Sequence, residues 1–438
     1  MNLIQITGAP IEIPHPHEDI HLFETGGGSF VLVVDGSRVY SVDADTAALL
    51  KDSSGQDDLA GIGLGSHERI TDVAPTVVSI RSLSLAVAQK CNLGCTYCYA
   101  QEGSFGQEPR SMEHEVALDA VRLLFADARS GEKVNLIFLG GEPLLNRSLI
   151  RECTELGKNL SASTGVRIGF SITTNGTLLS VEDGVFFEEH GFAVTVSLDG
   201  VGEIHDVLRS YRGGQGSYAK IIANVRPLLE MQRRMQVSAR VTVTPRNLRL
   251  RETLDELLGL GFHSVGFSPM LHAPSGREEM HANDLQEMLE QMIGCGEEFE
   301  RRTIGGERYA FANIATAIQE IHKGTHRPYP CGAGGGYFGV SAEGGLYACH
   351  RFVEDDKALF GDVHTGVSAD MQARWLSERH VHTQTPCSSC WARYLCGGGC
   401  HHEVIHRGRP ACDYIRGWLD YSLKAYVRLL SQRPEYFA

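Results

Sequence analysis

Three cysteines lie close together in the segment 91–99, at Cys91, Cys95 and Cys98. Their C-x3-C-x2-C spacing follows an apolar run at 83–88 that is typical of a buried strand. Three thiolates on one short loop can hold three irons of a [4Fe–4S] cluster and leave the fourth iron without a protein ligand. A structural cluster or zinc site normally closes its coordination with a fourth Cys or His nearby, and none follows in this loop. The spacing therefore favours an iron–sulfur site that can do chemistry.

The same segment resembles the signature of the radical S-adenosylmethionine (radical SAM) superfamily. In that signature an aromatic residue, here Tyr97, precedes the last cysteine. The resemblance implies that the open iron binds the amino and carboxylate groups of SAM and passes it an electron, with Tyr97 among the cofactor-binding residues. The C–S bond of SAM then breaks to give a 5′-deoxyadenosyl radical that abstracts hydrogen.

Strand-like runs alternate with helix-length patterns between about residues 82 and 305, which predicts parallel βαβ units. Six units are too few for a closed eight-stranded barrel, and the resemblance implies an α/β fold with a partial (β/α)6 TIM-like barrel. The predicted strands are 83–88, 134–139, 167–173, 193–198, 237–243 and 264–267, and the predicted helices include 112–129, 144–160, 218–231 and 248–259. Functional residues should lie at the C-terminal ends of the strands.

A glycine-rich motif directly follows the second predicted strand and consists of Gly140, Gly141, Glu142 and Pro143. We expect the glycines to expose backbone to a ligand, while Glu142 can accept a hydrogen bond from an ammonium group. The tetrapeptide by itself could be only a turn that ends a strand. The resemblance implies that it receives the amino group of SAM.

Two further motifs end the third and fourth predicted strands, at 173–177 and 197–200, and Arg209 follows Ser197 by twelve residues. They are similar to motifs of sulfatase-maturing and related enzymes. That similarity implies that Ser197 and Arg209 contact the carboxylate of SAM, and Asn175 is assigned to the same cofactor site. An arginine suits this task because it is permanently charged and offers a bidentate fork. An arginine elsewhere in the chain would be expected to form a surface salt bridge, and it is the position of Arg209 relative to the fourth strand that favours ligand binding.

Four other residues in this region carry weaker predictions. Asp199 either lines the active site as a catalytic residue or caps the next helix. Met270, just after the sixth predicted strand, could pack on the adenine of SAM, which is an assignment by position alone. Cys153 and Cys295 lie inside helical patterns, where a lone cysteine is usually a small buried apolar residue.

A second group of cysteines begins after about residue 330, and its intervals match the C-terminal SPASM domain. This resemblance implies two auxiliary [4Fe–4S] clusters, whereas a pair of zinc knuckles would need four ligands per site at closer spacing. The resemblance assigns four cysteines to a distal cluster, namely Cys387, Cys390, Cys396 and Cys412. It assigns three to a proximal cluster, namely Cys331, Cys349 and Cys400.

Seven thiolates cannot saturate two clusters of four irons. The eighth position is therefore vacant, filled by a ligand other than cysteine, or reserved for a substrate thiol. In the last case the iron would deprotonate and position a peptide cysteine for C–S bond formation.

His350 follows Cys349 at the place where sulfatase-maturing enzymes carry an aspartate that is assigned as the base. That departure puts formylglycine formation in question. The runs 349–352 and 390–403 are instead similar to enzymes that build thioethers between cysteine and carbon. These are the ranthipeptide maturases and the maturase of the small subunit of quinohaemoprotein amine dehydrogenase. His350 either acts as a general base near neutral pH or donates a hydrogen bond to cluster sulfur.

The N-terminal residues predict a small α+β module. A hairpin is expected from 30–34 and 38–42 around an Asp-Gly turn, followed by a helix through 46–50 that Asp43 or Asp45 could cap. The module resembles peptide-recognition domains of peptide-modifying superfamily members. The predicted domains are 1–80 for this module, 81–305 for the partial barrel and 306–438 for the SPASM domain.

Two predictions concern the flanks of that module. The stretch 53–65 is expected to be a mobile linker. The histidines His15, His17 and His21 could bind a metal, but beside Pro14 and Pro16 they are expected to be simply exposed.

Composition limits the remaining possibilities. The 438-residue chain has 42% apolar and 21% charged residues, as ordinary globular proteins do, and it lacks both a membrane-spanning apolar run and a signal peptide. We therefore expect a cytoplasmic protein. A net charge of −14 argues against binding to nucleic acid. The twelve cysteines are clustered, which in a reducing compartment indicates metal rather than disulfides.

The sequence thus predicts a radical SAM/SPASM enzyme that forms Cys-to-carbon thioether crosslinks in a ribosomal peptide or small protein subunit that contains cysteine. It would use SAM, a SAM-binding [4Fe–4S] cluster, two auxiliary clusters and an electron donor such as flavodoxin or ferredoxin. The enzymatic alternatives are a formylglycine-forming maturase and a carbon–carbon crosslinking enzyme. The remaining alternative, a non-enzymatic electron carrier, needs no SAM site, so the motif at 140–143 and Arg209 speak against it.

Overall fold

The structure of the protein is a computed structural model that describes residues 19–52 and 73–437. The linker predicted over 53–65 and the histidines at 15 and 17 lie outside the described residues. Among the described helices, none is both long enough and apolar enough to cross a membrane.

A three-stranded antiparallel sheet begins the described chain and is followed by one helix. Its strands, in spatial order, are β1 (Ile20–Thr25), β2 (Gly28–Val33) and β3 (Arg38–Val42). Helix α1 (Ala44–Asp52) begins where Asp43 Oδ1 accepts a hydrogen bond from the backbone N–H of Thr46 at 2.7 Å. The predicted hairpin, helix and Asp43 cap are confirmed.

This sheet packs on the C-terminal part of the chain, mainly through His21. The prediction that His21 is exposed is wrong, because its ring stacks on Trp391 with 3.7 Å between ring centroids and its Nε2 lies 2.9 Å from Asp420 Oδ1. Asp19 Oδ1 also accepts from Arg393 Nη2 at 3.1 Å. A ring that stacks and hydrogen-bonds in this way is taken out of water, which the local sequence beside two prolines does not reveal.

The main sheet contains six parallel strands in the order predicted for a partial barrel. In spatial order they are β10 (Val265–Pro269), β9 (Gln236–Val243), β8 (Ala193–Ser197), β7 (Arg167–Thr174), β6 (Lys133–Gly140) and β4 (Ser82–Gln89). Each agrees with its predicted strand to within two residues. Strand β4 is buried along nearly its whole length, as a strand covered on both faces must be. The α/β partial-barrel fold is confirmed.

Helices connect these strands. They are α2 (His114–Ala126), α3 (Arg147–Thr164), α4 (Val181–His190), α5 (Glu203–Leu208), α6 (Tyr218–Met231) and α7 (Leu250–Gly259). The helix predicted from 144 begins three residues later, because Pro143–Asn146 forms a separate 3-10 turn. A short strand, β5 (Arg110–Ser111), pairs with the end of β4.

The sheet continues past β4 into the region predicted as the SPASM domain. Strand β11 (Tyr337–Val340) pairs in parallel with β4, and three antiparallel strands follow, namely β12 (Gly345–Tyr347), β13 (Leu359–Asp362) and β14 (Gly366–Val367). The region that carries the C-terminal cysteines is therefore joined to the first barrel strand through β11. The domain boundaries at 80 and 305 remain a prediction.

Six more helices complete the described chain. They are α8 (Ala282–Ile304), α9 (Ala312–Lys323), α10 (Ala369–Arg379), α11 (Arg393–Cys396), α12 (His401–Arg407) and α13 (Cys412–Gln432). Helices α8 and α13 pack closely where Gly296 faces Tyr421, whose hydroxyl donates to Glu300 Oε1 at 2.5 Å. A Cβ atom added at Gly296 would lie 2.7 Å from the Tyr421 hydroxyl oxygen.

We expect Gly296→Ala to destabilise the protein by about 1–3 kcal/mol, because the added methyl group overlaps a buried ring. Gly294→Ala is the matched control in the same helix, since a Cβ there meets no atom within 4 Å. That substitution should stabilise by about 0.5–1 kcal/mol through helix propensity. Thermal unfolding of the anaerobic holoprotein measures both, and equal shifts in the two variants would contradict the close packing.

Candidate active site

Cys91, Cys95 and Cys98 lie on the cluster loop (residues 91–98), directly after β4. Burial raises the pKa of the Cys91 and Cys95 thiols to about 11 and also raises that of Cys98. The negative charge of a neighbouring thiolate raises the pKa of each of the three further. The three sulfur atoms are therefore near one another, as ligands of one cluster must be. Binding iron would release their protons, because the thiolate is the ligand.

The third-strand motif holds the first of these cysteines. Asn175 Nδ2 donates to Cys91 Sγ at 3.6 Å and to Asn92 Oδ1 at 3.0 Å. Asn92 Nδ2 in turn donates to Thr177 Oγ1 at 2.8 Å, and the backbone N–H of Leu93 donates to Cys91 Sγ at 3.4 Å. Asn175, predicted to contact SAM, is thus placed against a cluster ligand, where such contacts orient the thiolate.

Glu142 is completely buried below the cluster loop and accepts three hydrogen bonds. Its Oε1 accepts from Thr174 Oγ1 at 2.7 Å and from the backbone N–H of Leu144 at 3.1 Å, and its Oε2 accepts from the backbone N–H of Asn175 at 2.7 Å. Burial raises the pKa of Glu142, and the hydrogen bonds from Asn175 and Thr174 oppose that rise. A carboxylate has about four acceptor positions, so one remains for an ammonium group.

The two glycines before Glu142 are required for backbone packing. Gly140 has a φ of 143°, and a Cβ there would overlap the carbonyl oxygen of Ala88. A Cβ at Gly141 would overlap the carbonyl oxygen of Lys90 and lie 2.7 Å from Gly103 Cα. The expectation that these glycines expose backbone to a ligand is wrong for the N–H of Gly141, because it donates to Ala88 O at 2.8 Å. Pro143 follows as the first residue of a buried 3-10 turn.

Arg209 is held beside the cluster loop by two acceptors. Its Nη1 donates to the Tyr97 hydroxyl at 2.9 Å and lies 3.3 Å from Asp199 Oδ2. Burial disfavours its charge, but the neighbouring Cys95 and Asp199 more than compensate and raise the pKa of Arg209. Its Nε is buried and has no hydrogen-bond partner in the part of the chain that the structure describes. A cation with a free donor fits a carboxylate ligand.

Asp199 is fully buried and joins two strands to Arg209. Its Oδ1 accepts from the backbone N–H of Thr242 in β9 at 2.7 Å, while its Oδ2 faces Arg209. The alternative that Asp199 caps the next helix is wrong, because the N-cap residue of α5 is Gly202 and no side chain caps this helix. Both carboxylate oxygens are thus used in positioning Arg209 and the strand ends.

The remaining residues predicted to bind SAM lie around this arginine. Met270 packs with Tyr97, Leu208 and Ala273 in a small buried apolar cluster. Ser197 is the last residue of β8 and is half-buried. An acceptor in Glu142, a donor in Arg209 and an apolar wall at Met270 therefore fit the ammonium, carboxylate and adenine parts of SAM.

The C-terminal cysteines are considered in the two predicted groups, whose division remains a prediction. In the proximal set (Cys331, Cys349 and Cys400), burial raises the pKa of all three thiols, and Cys400 raises the pKa of both Cys331 and Cys349 further. In the distal set (Cys387, Cys390, Cys396 and Cys412), burial raises the pKa of Cys387 and Cys396, and Cys390 and Cys412 add to both rises. The distal set lines a cavity together with Cys400 of the proximal set, Arg409 and Arg416. Cys153 and Cys295 are fully buried inside α3 and α8, as predicted.

No three His, Cys, Asp or Glu side chains within residues 19–52 and 73–437 are placed to share a single metal ion. Ligation of a [4Fe–4S] cluster does not require such a placement, because each of its thiolates binds a different iron.

A hydrogen-bond chain fixes the orientation of His350. Ser84 Oγ donates to the carbonyl of Phe338 at 3.4 Å, so the Tyr337 hydroxyl donates to Ser84 Oγ at 2.9 Å. The same hydroxyl lies 2.6 Å from His350 Nδ1, and the tautomer of the ring decides which of the two groups donates. In the arrangement in which Tyr337 donates to Ser84, the ring proton is on Nδ1 and Nε2 keeps a lone pair. Burial lowers the pKa of His350 to about 4, which keeps the ring neutral.

Residues 85–258 match the Radical SAM superfamily. This stretch includes the cluster loop, the motif at Glu142 and Arg209. The chain is a radical SAM enzyme.

The relatives of this radical SAM enzyme include enzymes named for the maturation of sulfatases and one named for cyclopropyl synthesis. A serine-type anaerobic sulfatase-maturating enzyme of Klebsiella aerogenes is 24% identical over 358 residues, which cover 78% of this chain and 85% of the relative. A radical SAM cyclopropyl synthase, TigE, of Paramaledivibacter caminithermalis is 20% identical over 385 residues, covering 83% and 78%. The prediction of a radical SAM enzyme of the peptide-maturase type is confirmed.

The fold is similar to that of solved structures of the same type. The AdoMet-bound structure of anSMEcpe superposes with a TM-score of 0.67 over 80% of this chain and 99% of that chain, at 19% identity. At this identity the likeness concerns the fold. The family match and the fit of the thiols and SAM-site residues confirm SAM and [4Fe–4S] clusters as the cofactors.

His205 is a residue of this site that the sequence prediction missed. Its Nδ1 accepts from the backbone N–H of Asp199 at 3.2 Å, and its Nε2 lies 3.0 Å from Ser217 Oγ. Burial lowers its pKa to about 3, so the ring is neutral and shapes the turn that carries Asp199. The sequence could have indicated His205 through its position four residues before Arg209 in the same motif.

We expect Gly141→Ala to displace the cluster loop, because the added methyl group overlaps the backbone of Lys90 and Gly103. The iron content of the reconstituted radical SAM enzyme should fall by about four atoms per chain, and SAM cleavage should be lost. Gly259→Ala is the control, since a Cβ there meets no atom within 4 Å. Full iron content in Gly141→Ala would contradict the packing role of the glycine.

Proposed function

We propose that this radical SAM enzyme forms a thioether between a cysteine sulfur and an unactivated carbon of a ribosomal peptide or small protein subunit. The observation that carries the proposal is the proximal set of three thiols. All twelve cysteines lie in the described residues: three on the cluster loop, three proximal, four distal, and two inside helices. A four-iron cluster at the proximal set would therefore have one iron free of protein cysteine, and a substrate thiolate is a ligand suited to it.

The orientation of His350 supports the same chemistry. The ring lies next to Cys349 in the chain and is neutral, and in the proposed tautomer Nδ1 donates to the Tyr337 hydroxyl, 2.6 Å away, while Nε2 is the acceptor nitrogen. A substrate thiol that binds iron must lose its proton, and Nε2 can accept it. Of the two predicted roles for His350, the base fits this tautomer better than donation from Nε2 to cluster sulfur.

The proposed reaction balances as a two-electron oxidation of the substrate. One C–H and one S–H bond break, one C–S bond forms, and the substrate becomes lighter by two hydrogen atoms. When bound, SAM and its cluster would supply the radical that takes the carbon's hydrogen atom, and an auxiliary cluster would supply the acceptor for the one surplus electron. The thiol proton leaves through Nε2 of His350.

Glu142, Arg209 and Asp199 have separate parts in this proposal. Glu142 holds the amino group of SAM through its remaining acceptor position, and Arg209 holds the carboxylate through its free Nε. Asp199 keeps Arg209 oriented. Asn175 orients Cys91 instead of touching SAM directly.

A second candidate is oxidation of a serine or cysteine to formylglycine. Relatives named as serine-type and cysteine-type sulfatase-maturating enzymes favour it, the latter from Clostridium novyi with 33% identity over 156 residues, covering 34% of this chain and 41% of that relative. His350 in place of the expected aspartate weighs against it. The cysteine-containing substrate, an electron donor such as flavodoxin or ferredoxin, a cytoplasmic location and peptide recognition by residues 1–80 belong to the same proposal.

Mass spectrometry of the product distinguishes the two candidates. The enzyme is incubated anaerobically with SAM, a reductant and a small cysteine-containing protein encoded beside its gene. We expect a product that is lighter by two hydrogens per crosslink and in which one thiol no longer reacts with an alkylating agent. An aldehyde that reacts with hydrazide would indicate formylglycine. Formation of 5′-deoxyadenosine with all thiols still free would overturn the thioether proposal.

We expect Tyr337→Phe to reduce crosslinking by about 10–100-fold, because the proton on Nδ1 of His350 loses its acceptor. His350→Gln should reduce it by about 10²–10⁴-fold. Cleavage of SAM in the absence of peptide serves as the internal control and should persist in both variants. Unchanged crosslinking rates would remove His350 from the mechanism.

A further inference from the structure

Arg351 contacts three parts of the molecule at once. Its Nη1 donates to Cys400 Sγ at 3.8 Å and to Glu403 Oε1 at 2.7 Å, and its Nη2 donates to the carbonyl of His272 at 3.3 Å. Its guanidinium carbon lies 5.6 Å from the centre of the Tyr99 ring. The side chain of Arg351 is only 16% exposed, so its ion pair with Glu403 does not lie on the open surface.

The three contacts join the SAM site to the proximal thiols. Tyr99 directly follows the last cysteine of the cluster loop, and Cys400 belongs to the proximal set. His272 is in the 270–281 loop between β10 and α8, which begins with Met270 against Tyr97. Arg351 itself lies two residues after Cys349. The guanidinium is thus the point where both iron-binding regions and the wall of the SAM pocket meet.

A permanent cation at this position has an electrostatic consequence. Reduction adds a negative charge to an iron–sulfur cluster, and a nearby positive charge stabilises the reduced form. Glu403 compensates part of the charge of Arg351, but the Nε of Arg351 is buried without a partner in the described chain. Arginine keeps its charge under such burial, and the neighbouring Glu403 also favours the charged form of a lysine at this place.

We propose that Arg351 is a positioning residue that joins the cluster loop, the 270–281 loop and the proximal thiolates, and that its charge raises the reduction potential of the proximal cluster. Only one part of this proposal rests on the proposed function, namely that the proximal cluster is used as an electron acceptor. A higher potential makes the surplus electron easier to accept.

Arg407 provides a matched control in the same region. It also holds the 270–281 loop, through hydrogen bonds to the carbonyls of Leu271 and Met280, the latter at 2.8 Å, and through an ion pair with Glu279 at 3.4 Å. All three of these partners are residues of the 270–281 loop. Arg407→Met should therefore loosen the loop without changing the potential at the proximal thiols.

The first measurement is a redox titration followed by electron paramagnetic resonance. It uses the full chain with Cys91, Cys95 and Cys98 replaced by alanine, so that only the auxiliary clusters contribute, and it needs no peptide. We expect Arg351→Met to shift the potential of the proximal cluster to more negative values while the distal cluster keeps its own. In Arg351→Lys and in Arg407→Met the potential of the proximal cluster should equal that of the protein that carries only the three cysteine replacements. An unchanged proximal potential in Arg351→Met would overturn the electrostatic role.

Iron analysis shows whether Arg351→Met binds the proximal cluster at all. If it does not, Arg351→Lys decides: a full iron content and an unchanged proximal potential in that variant would show that the cluster requires the positive charge. Failure of Arg351→Lys to load, or a lowered potential in it, would overturn that role.

The second measurement is equilibrium binding of SAM to the enzyme with all its cysteines. Arg351→Met and Arg407→Met should both weaken SAM binding by on the order of tenfold, because each releases the 270–281 loop beside Met270. Unchanged affinity in both variants would overturn the positioning role. Neither measurement involves the peptide product, so failure here is distinguishable from failure of the thioether proposal.

Discussion

The thiols that bind iron must carry negative charge in partly buried sites, and much of the structure follows from that constraint. Burial raises the pKa of Cys95 and Cys349, which opposes the loss of their protons. Each set of thiols has a permanent cation that acts in the opposite direction. Arg209 lowers the pKa of Cys95, Arg351 lowers that of Cys349, and Arg409 acts on the distal set. Bound iron completes the compensation, so cofactor loading and local folding are coupled.

The same sites bring backbone segments into direct contact, which only glycine permits. Gly141 lies against the backbone of Gly103, after the cluster loop. Gly339 in β11 has the corresponding position beside the proximal set, where an added Cβ would lie 2.7 Å from the carbonyl carbon of Cys349 and 2.7 Å from the N of His350. Both iron-binding loops are thus supported by the ends of sheet strands. Rigid support of this kind keeps ligand sulfurs at fixed separations.

The sheet also brings together two cysteine-containing regions that are far apart in sequence. Strand β11 pairs with β4, so the proximal cysteines and the cluster loop extend from neighbouring strands. Tyr337 on β11 donates a hydrogen bond to Ser84 on β4 and lies 2.6 Å from His350 Nδ1. The chemistry proposed for the proximal set therefore depends on strand pairing as much as on the cysteines themselves.

Local features of the sequence were sufficient for the barrel and for the radical SAM motif. The six strands are apolar runs of the right length, and their burial in a parallel sheet makes that signal strong. The cysteine spacing within the cluster loop is also local. These predictions succeeded because the information lies within short segments. The division of the later cysteines into proximal and distal sets came from family resemblance and remains a prediction.

Tertiary structure alone decided how the polar groups are used. Asp199 faces Arg209 and β9 instead of capping a helix, Asn175 donates to Cys91, and His21 is buried against Trp391. Each of these contacts joins residues from different elements, so no local pattern encodes it. The sequence determined which chemistry the chain carries, because residue types and spacing fix the ligands. Packing determined which group faces which, because hydrogen bonds between buried partners form only once the strands and loops are in place.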